Sequence, residues 1–253
     1  KKTKFAVNPE FIPQFKEVLA KYDLKLVGIN QHIGSLFMDG KPYVEGVKAI
    51  LNIAKQFDDL EFVDLGGGFG IPYEKLNDQP RLDMVELGKQ LDEVFEQFVK
   101  DYGKEITFKI EPGRYVSAEC GVLLGTVTAV KHNGEDKYIG TDIGFNVLQR
   151  PVMYDSHHDI EVYNDSDNTE DVTVVGNICE SGDILAKHRI CPEMHVGDTM
   201  AMLDAGAYGY CMASNYNNRL RPAEVLIREN GEAVLVRERD ELEDLTRHMK
   251  SIK

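Results

Sequence analysis

The sequence has 253 residues, 42% of them hydrophobic, which is enough for one large domain or two modest ones with real cores. Its net charge of −14 excludes a broad phosphate-binding surface, so nucleic acid is not an expected partner, although an acidic protein can still hold a locally basic pocket. No run of about 18 apolar residues occurs, so no membrane span is expected. No apolar stretch follows Lys1 and Lys2 as a signal peptide would require, and Cys120, Cys179, Cys191 and Cys211 lack paired metal-ligand spacing. Reduced thiols, no metal and a cytoplasmic location follow as expectations.

Lys4 to Val7 reads as a short strand, and Phe11, Phe15, Val18, Leu19 and Tyr22 then make one helical face. Leu24 to Asn30 is a short apolar run. Val44, Val47, Leu51 and Ala54 mark an amphipathic helix from Val44 to Phe57. Phe62 to Leu65 is strand-like and runs into glycines. Met84, Leu87, Leu91, Val94, Phe98 and Tyr102 give the cleanest helical stripe, with Gly103 placed to end it. Ile106 to Glu111 is the next strand. Such alternation implies a parallel sheet covered by helices, and a repeat of roughly 40 residues suits a TIM-type βα barrel. A closed barrel needs eight such units; the pattern here supplies about half.

After Tyr115 the pattern changes to short strand-like runs at Gly121–Val130, Lys137–Thr141, Val172–Gly176, Thr199–Asp204, Ala223–Ile227 and Ala233–Arg237. Asn133-Gly134 and Asn230-Gly231 are hairpin signals between them. The expected organisation is therefore α/β plus β. Residues 1–115 would form the C-terminal half of a βα barrel. Residues 116–253 would form a mainly antiparallel β-sandwich or barrel domain, with Glu238–Lys253 a terminal helix or a frayed tail.

Three segments follow predicted parallel strands: Gln31-His32-Ile33-Gly34-Ser35, Asp64-Leu65-Gly66-Gly67-Gly68-Phe69-Gly70 and Glu111-Pro112-Gly113-Arg114. In βα barrels the active site is built at these strand ends. Consecutive glycines let backbone N–H groups approach one anion, but the same run also reads as a flexible turn. It is not a dinucleotide fingerprint, since Ile71 replaces the last glycine, nor a Walker loop. His32 reads equally as a core histidine, Ser35 as a helix cap, and Glu111 with Arg114 as a structural ion pair. Asn177 to Asp183 joins a thiol, Cys179, to the carboxylates of Glu180 and Asp183. Arg150 and Tyr154 pair a guanidinium with a phenol, suited to a carboxylate. Tyr208 lies in a glycine-flanked turn.

Taken together, HIGS, DLGGGFG, EPGRY, CESGD and GAYG, in this order, resemble the fold-type III pyridoxal-phosphate decarboxylases, a group that includes ornithine, arginine and diaminopimelate decarboxylases. Within it, CESGD, RPVMY and SNYNNRLRPAEVL resemble the diaminopimelate branch. The resemblance runs from about His32 to Ile227. It implies pyridoxal 5'-phosphate as cofactor, with His32, Ser35, Gly66, Gly67, Gly68, Glu111, Gly113, Arg114 and Tyr208 around it. His32 would stack on the ring, Glu111 would pair with the ring nitrogen, and Ser35 with the glycine backbone would hold the phosphate. Arg114, Arg150, Tyr154, Glu180 and Tyr208 would bind the substrate, and Cys179 would donate the proton. The implied reaction is decarboxylation of meso-2,6-diaminopimelate to L-lysine by a homodimer, with the Cys179 loop of one subunit completing the other's site.

This sequence departs from the family in two places. Asp142 to Arg150 differs from the pattern ahead of the substrate tyrosine, although Arg150 and Tyr154 keep their spacing. No segment resembles the one that carries the family's Schiff-base lysine, and Lys48 falls on a presumed outer helix. The expectation is that the first barrel units are missing from this chain. The alternatives are a decarboxylase of D-ornithine, D-lysine or another basic amino acid, a non-catalytic relative that acts by binding, and a racemase of the same fold type.

Overall fold

Strand-forming runs and amphipathic helices alternate through the early chain because each apolar strand has a helix to cover it. The computed structural model describes residues 4–251, which fall into two units. The first runs to Pro72 and resumes at Gln79–Val116; the second comprises Tyr73–Asp78 and the chain from Ser117 onward.

In the first unit, β1 (Gly28–Asn30), β2 (Phe62–Gly67) and β3 (Thr107–Glu111) form a parallel sheet in that order. Helix α1 (Ile12–Lys21) precedes β1, α2 (Lys41–Ala54) links β1 to β2, and α3 (Met84–Tyr102) links β2 to β3. α3 is the best specified. Asp83 caps it by accepting from the Glu86 N–H, and Gly103, at φ 77°, ends it in the left-handed region that glycine tolerates. The core joins Val44, Val47, Ile50 and Leu51 of α2 to Val63 and Leu65 of β2 and to Leu87 and Phe98 of α3. Helix α4 (Gly113–Ser117) follows β3.

Two expectations change in this unit. Residues 4–7 bend instead of extending, with Ala6 at φ 63°, and only Gly28–Asn30 of the run from Leu24 pairs as a strand. A short apolar run becomes a strand only where a neighbour takes its hydrogen bonds. The reading of Lys1 and Lys2 lies outside the described residues.

The second unit holds a six-stranded mixed sheet in the order β6-β9-β4-β5-β7-β8. Its strands are β4 (Leu123–Asn133), β5 (Asp136–Thr141), β6 (Ile160–Tyr163), β7 (Thr169–Val175), β8 (Ile184–Pro192) and β9 (Thr199–Met202). The outer strands β6 and β8 approach one another, so the sheet curls nearly closed. Pairing is antiparallel except between β5 and β7. Val127, Ile139, Leu148, Val174, Leu185, Met200 and Met202 fill the interior. β10 (Glu224–Ile227) and β11 (Ala233–Arg237) form a separate hairpin. α5 (Arg150–Tyr154) and α6 (Leu242–Thr246) are single short helices. Past α6 the last two residues of the anticipated tail lie outside the described residues. Asp240 clamps the segment ahead of α6, accepting from the Arg221 guanidinium and backbone and from Asn215.

β6 and β8 have no counterpart in the sequence reading. β6 is four residues long. β8 carries Lys187, His188 and Arg189 in mid-strand, which break the alternation; a register irregularity accompanies them, with His188 at φ 44°. Among the described residues no helix is long and apolar enough to cross a membrane.

Candidate active site

The first unit brings its three strand ends together at the backbone. β2 lies between β1 and β3, so its glycines face both neighbours. A Cβ on Gly66 would lie 2.2 Å from the carbonyl oxygen of Gln31, one on Gly67 2.0 Å from that of Glu111, and one on Gly68 2.5 Å from that of Gly34. Gly67 and Glu111 are also direct register partners. Gly66 and Gly68 have φ of 72° and 100°, which side chains rarely adopt. Both close approach and backbone angle therefore demand glycine in this run. Replacing Gly67 by alanine is expected to lower unfolding stability by about 3 kcal/mol or more, because the opposing atom is backbone and cannot rotate away. Alanine at Gly88, in open space on α3, is expected to raise it by about 0.5–1 kcal/mol. Denaturant midpoints of the two variants check this contrast.

Around the glycines lie the predicted side chains. Ser35 and Arg114 meet, the guanidinium donating to the Ser35 hydroxyl at 3.1 Å. His32 and Glu111 are exposed at their strand ends, and Gly113 opens α4. The Phe5 ring lies 6.0 Å from that of His32. Lys48 is exposed on α2 and paired with Glu45 at 2.8 Å.

Some supports carried no recognised sequence signal. Asp64 accepts from the Gly66 N–H at 3.0 Å, fixing the turn into the glycines. Tyr43 is fully buried, its hydroxyl 3.4 Å from the Gly66 carbonyl, and its ring packs with Phe37 and Phe69. Burial, with Asp64 and Glu111 nearby, pushes the Tyr43 phenol well above its ordinary value. It stays a neutral donor beneath the loop.

The second unit carries the remaining candidates. Cys179 and Glu180 are exposed in a tight turn after β7. Asp183 shapes that turn by accepting from the N–H groups of Ile178 and Phe145, each at 2.7 Å. Burial pushes the Asp183 carboxyl up, and those two bonds oppose the shift. Glu180 accepts from the Tyr216 hydroxyl at 3.3 Å and from the Gly182 N–H at 3.2 Å, and its charge raises the Tyr216 phenol. Cys191 is a different kind of thiol: it lies in the core and burial pushes it up to about 11. Such a thiol does not trade protons with a substrate near neutral pH.

Tyr154 and Tyr208 are exposed, whereas Arg150 is buried. The Arg150 guanidinium lies 4.3 Å from the centre of the Tyr73 ring and bonds to His158 and Ser156. Tyr208 adopts φ 57° and Asp204 likewise 57°, so the loop after β9 is strained at both ends. Asp204 is buried and paired with Lys75. Among the described residues no group of three His, Cys, Asp or Glu could hold a metal ion.

The family model described as "Pyridoxal-dependent decarboxylase, C-terminal sheet domain" matches residues 22–206. The chain belongs to the pyridoxal-dependent decarboxylases. Among its relatives, diaminopimelate decarboxylase of Methanothermobacter thermautotrophicus is 38% identical over 97% of this chain and 58% of its own length. That of Archaeoglobus fulgidus is 41% identical over 90% of this chain and 55% of its own. The crystal structure of the Methanocaldococcus jannaschii enzyme superposes with a TM-score of 0.90 at 33% identity, covering 100% of this chain and 59% of that one. The Helicobacter pylori enzyme, solved with L-lysine, gives 0.87 at 32% identity over 98% of this chain and 60% of that one. The chain thus spans less than two thirds of the length of these relatives.

Proposed function

We propose that this chain serves a pyridoxal 5'-phosphate-dependent decarboxylase that converts meso-2,6-diaminopimelate to L-lysine and CO2. One observation carries the reading. Within one unit the glycine run touches the His32–Ser35 segment on one side and Glu111 on the other, and Arg114 reaches Ser35. This donor set fits a phosphorylated pyridine. A hydroxyl, a guanidinium and a glycine backbone suit the phosphate, and a carboxylate suits a ring nitrogen that must stay protonated.

Bound pyridoxal phosphate supplies an electron sink for the pair released when the bond from Cα to the carboxylate breaks. The chain's residues set up the rest. Glu111 keeps the proton on the ring nitrogen. Ser35, Gly66–Gly68, Gly113 and Arg114 hold the phosphate, His32 covers the ring face, and Tyr208 reaches both phosphate and substrate. Cys179 delivers its Sγ proton to Cα. Glu180 takes the distal ammonium, and Arg114, Arg150 and Tyr154 take the distal carboxylate. Ornithine lacks that carboxylate and would leave arginine charge unmatched, which favours diaminopimelate.

In the same reading, residues 1–115 are the C-terminal half of a βα barrel and 116–253 a C-terminal β domain. The working unit is a cytoplasmic homodimer with the site at its interface. The experiment is a CO2-release assay on the pyridoxal-phosphate holoenzyme containing this chain. Release from meso-diaminopimelate is expected; turnover of D-ornithine or D-lysine in its place would shift the assignment to a sister decarboxylase, and no turnover of any would overturn it.

A further inference from the structure

The motif Ser156-His157-His158-Asp159 has no part in the reading above, yet His158 sits at the centre of the second unit's buried polar network. Its ring is 1% exposed and the Arg150 side chain beside it belongs to a residue 2% exposed, so bulk water cannot replace the bonds between them. Nδ1 lies 2.6 Å from the Leu203 carbonyl oxygen and Nε2 lies 2.7 Å from Nη1 of Arg150. A carbonyl only accepts and a guanidinium only donates. Nδ1 therefore carries the hydrogen, and Nε2 presents its lone pair to Arg150. A second proton on the ring would set N–H against N–H.

The bonds around His158 make a clamp. The Leu203 N–H donates to the Asp159 carbonyl at 2.9 Å, so Leu203 is held on both sides of its peptide by consecutive residues. The Asp159 carboxylate accepts from the Leu76 N–H at 3.0 Å. Tyr73 stacks under the Arg150 guanidinium and meets the His158 ring edge-on at 5.2 Å. Ser156 takes Nη2 of Arg150 at 3.3 Å. The planar fork of Arg150 is thus fixed in direction by an acceptor at its edge and a ring on its face. A guanidinium recognises a carboxylate through that plane, so its direction matters as much as its charge.

We infer that His158 is a positioning residue that sets substrate specificity by holding the Arg150 guanidinium, as a neutral acceptor, in the orientation that receives the substrate's distal carboxylate. The inference rests on the proposed role of Arg150. It also ties α5, which carries Arg150 and Tyr154, to the strand end that leads into the Tyr208 loop, through the Leu203 bond.

Two isosteric substitutions separate the arms of the clamp. Glutamine keeps an acceptor at the position of Nε2 but loses the donor to Leu203; asparagine keeps that donor but loses the acceptor for Arg150. In the holoenzyme, His158→Asn is expected to raise KM for meso-diaminopimelate and to weaken inhibition by L-lysine, which retains the distal carboxylate, by roughly tenfold to a hundredfold. Turnover at saturation and the cofactor's visible absorbance should stay close to those of the unsubstituted protein. Inhibition by cadaverine, which has no carboxylate, should not change. His158→Gln is expected to restore L-lysine binding to within about threefold, since the charge-assisted bond is kept. L-lysine binding that is unaffected in His158→Asn, or equally weakened in both variants, overturns the positioning role. Arg150→Gln separates this failure from that of the underlying reading. If it leaves L-lysine binding unchanged, Arg150 is not the carboxylate's partner; if it weakens binding while His158→Asn does not, only the role of His158 falls.

Discussion

Replacing Cys179, the proposed proton donor, by alanine is expected to lower kcat for diaminopimelate decarboxylation by roughly 10²–10⁴-fold, the range set by loss of a positioned general acid. Cys179 is exposed at the tip of a turn whose backbone is fixed by Asp183 and whose neighbour, Glu180, is held by Tyr216 and Gly182. Removing the sulfur disturbs none of those bonds, so stability and cofactor absorbance should stay put. KM should also hold nearly constant, because a proton delivered after the carboxylate leaves is a transition-state interaction and not one that binds the ground state. Cys191 supplies the internal control. It is the buried thiol, and Cys191→Ala should cost stability through a small cavity while leaving kcat within about twofold. Steady-state kinetics on both variants, with thermal melts, check the contrast. Equal kcat values for Cys179→Ala and the unsubstituted enzyme would remove Cys179 from the chemistry.

How much of this was legible in sequence depends on what each residue needed to say. Gly103 announced the end of α3 because a cap has local chemistry, whereas the Asp83 cap at its start went unread. Asn133-Gly134 and Asn230-Gly231 marked the turns of two hairpins for the same reason, with Gly134 at φ 66° and Gly231 at φ 82°. The glycine run was visible as a run, but the need for it was not. That need arises from Gln31, Gly34 and Glu111, whose carbonyls approach only after three strands have paired. Tyr43 fell outside the helix read from Val44 onward, and its place beneath Gly66 is set by packing. His158 was hidden differently. Its importance lies in bonds to Arg150 on one side and Leu203 on the other, and pairing over such separations leaves no periodic trace. The mid-strand Lys187, His188 and Arg189 concealed β8 by breaking the alternation a strand is known by. Local rules were thus readable, while the contacts that assemble the site belong to tertiary structure.

Replacing Glu111 by glutamine is the second large expected effect: a fall in kcat/KM of about a hundredfold or more with the fold intact. Glu111 ends β3 exposed, and its backbone carbonyl, not its carboxylate, abuts Gly67. The amide keeps that backbone contact and nearly the same shape, so the protein should melt close to its usual temperature. What the amide cannot do is act as a negative partner for a protonated ring nitrogen. A pyridine nitrogen without its anion loses its proton near neutral pH, and the electron sink weakens with it. A substitution that lowered activity merely by loosening the site would instead lower the melting temperature or release cofactor. Melting curves and retention of cofactor absorbance after dialysis separate the two causes.

The nitrogen itself can be read. The 15N chemical shift of ring-labelled pyridoxal phosphate, bound to the holoenzyme and to its Glu111→Gln variant at neutral pH, reports protonation at that one atom. A protonated nitrogen that becomes neutral in the variant is the result expected if these strand ends surround the cofactor. An identical shift in the two proteins would place Glu111 away from the ring and contradict the site.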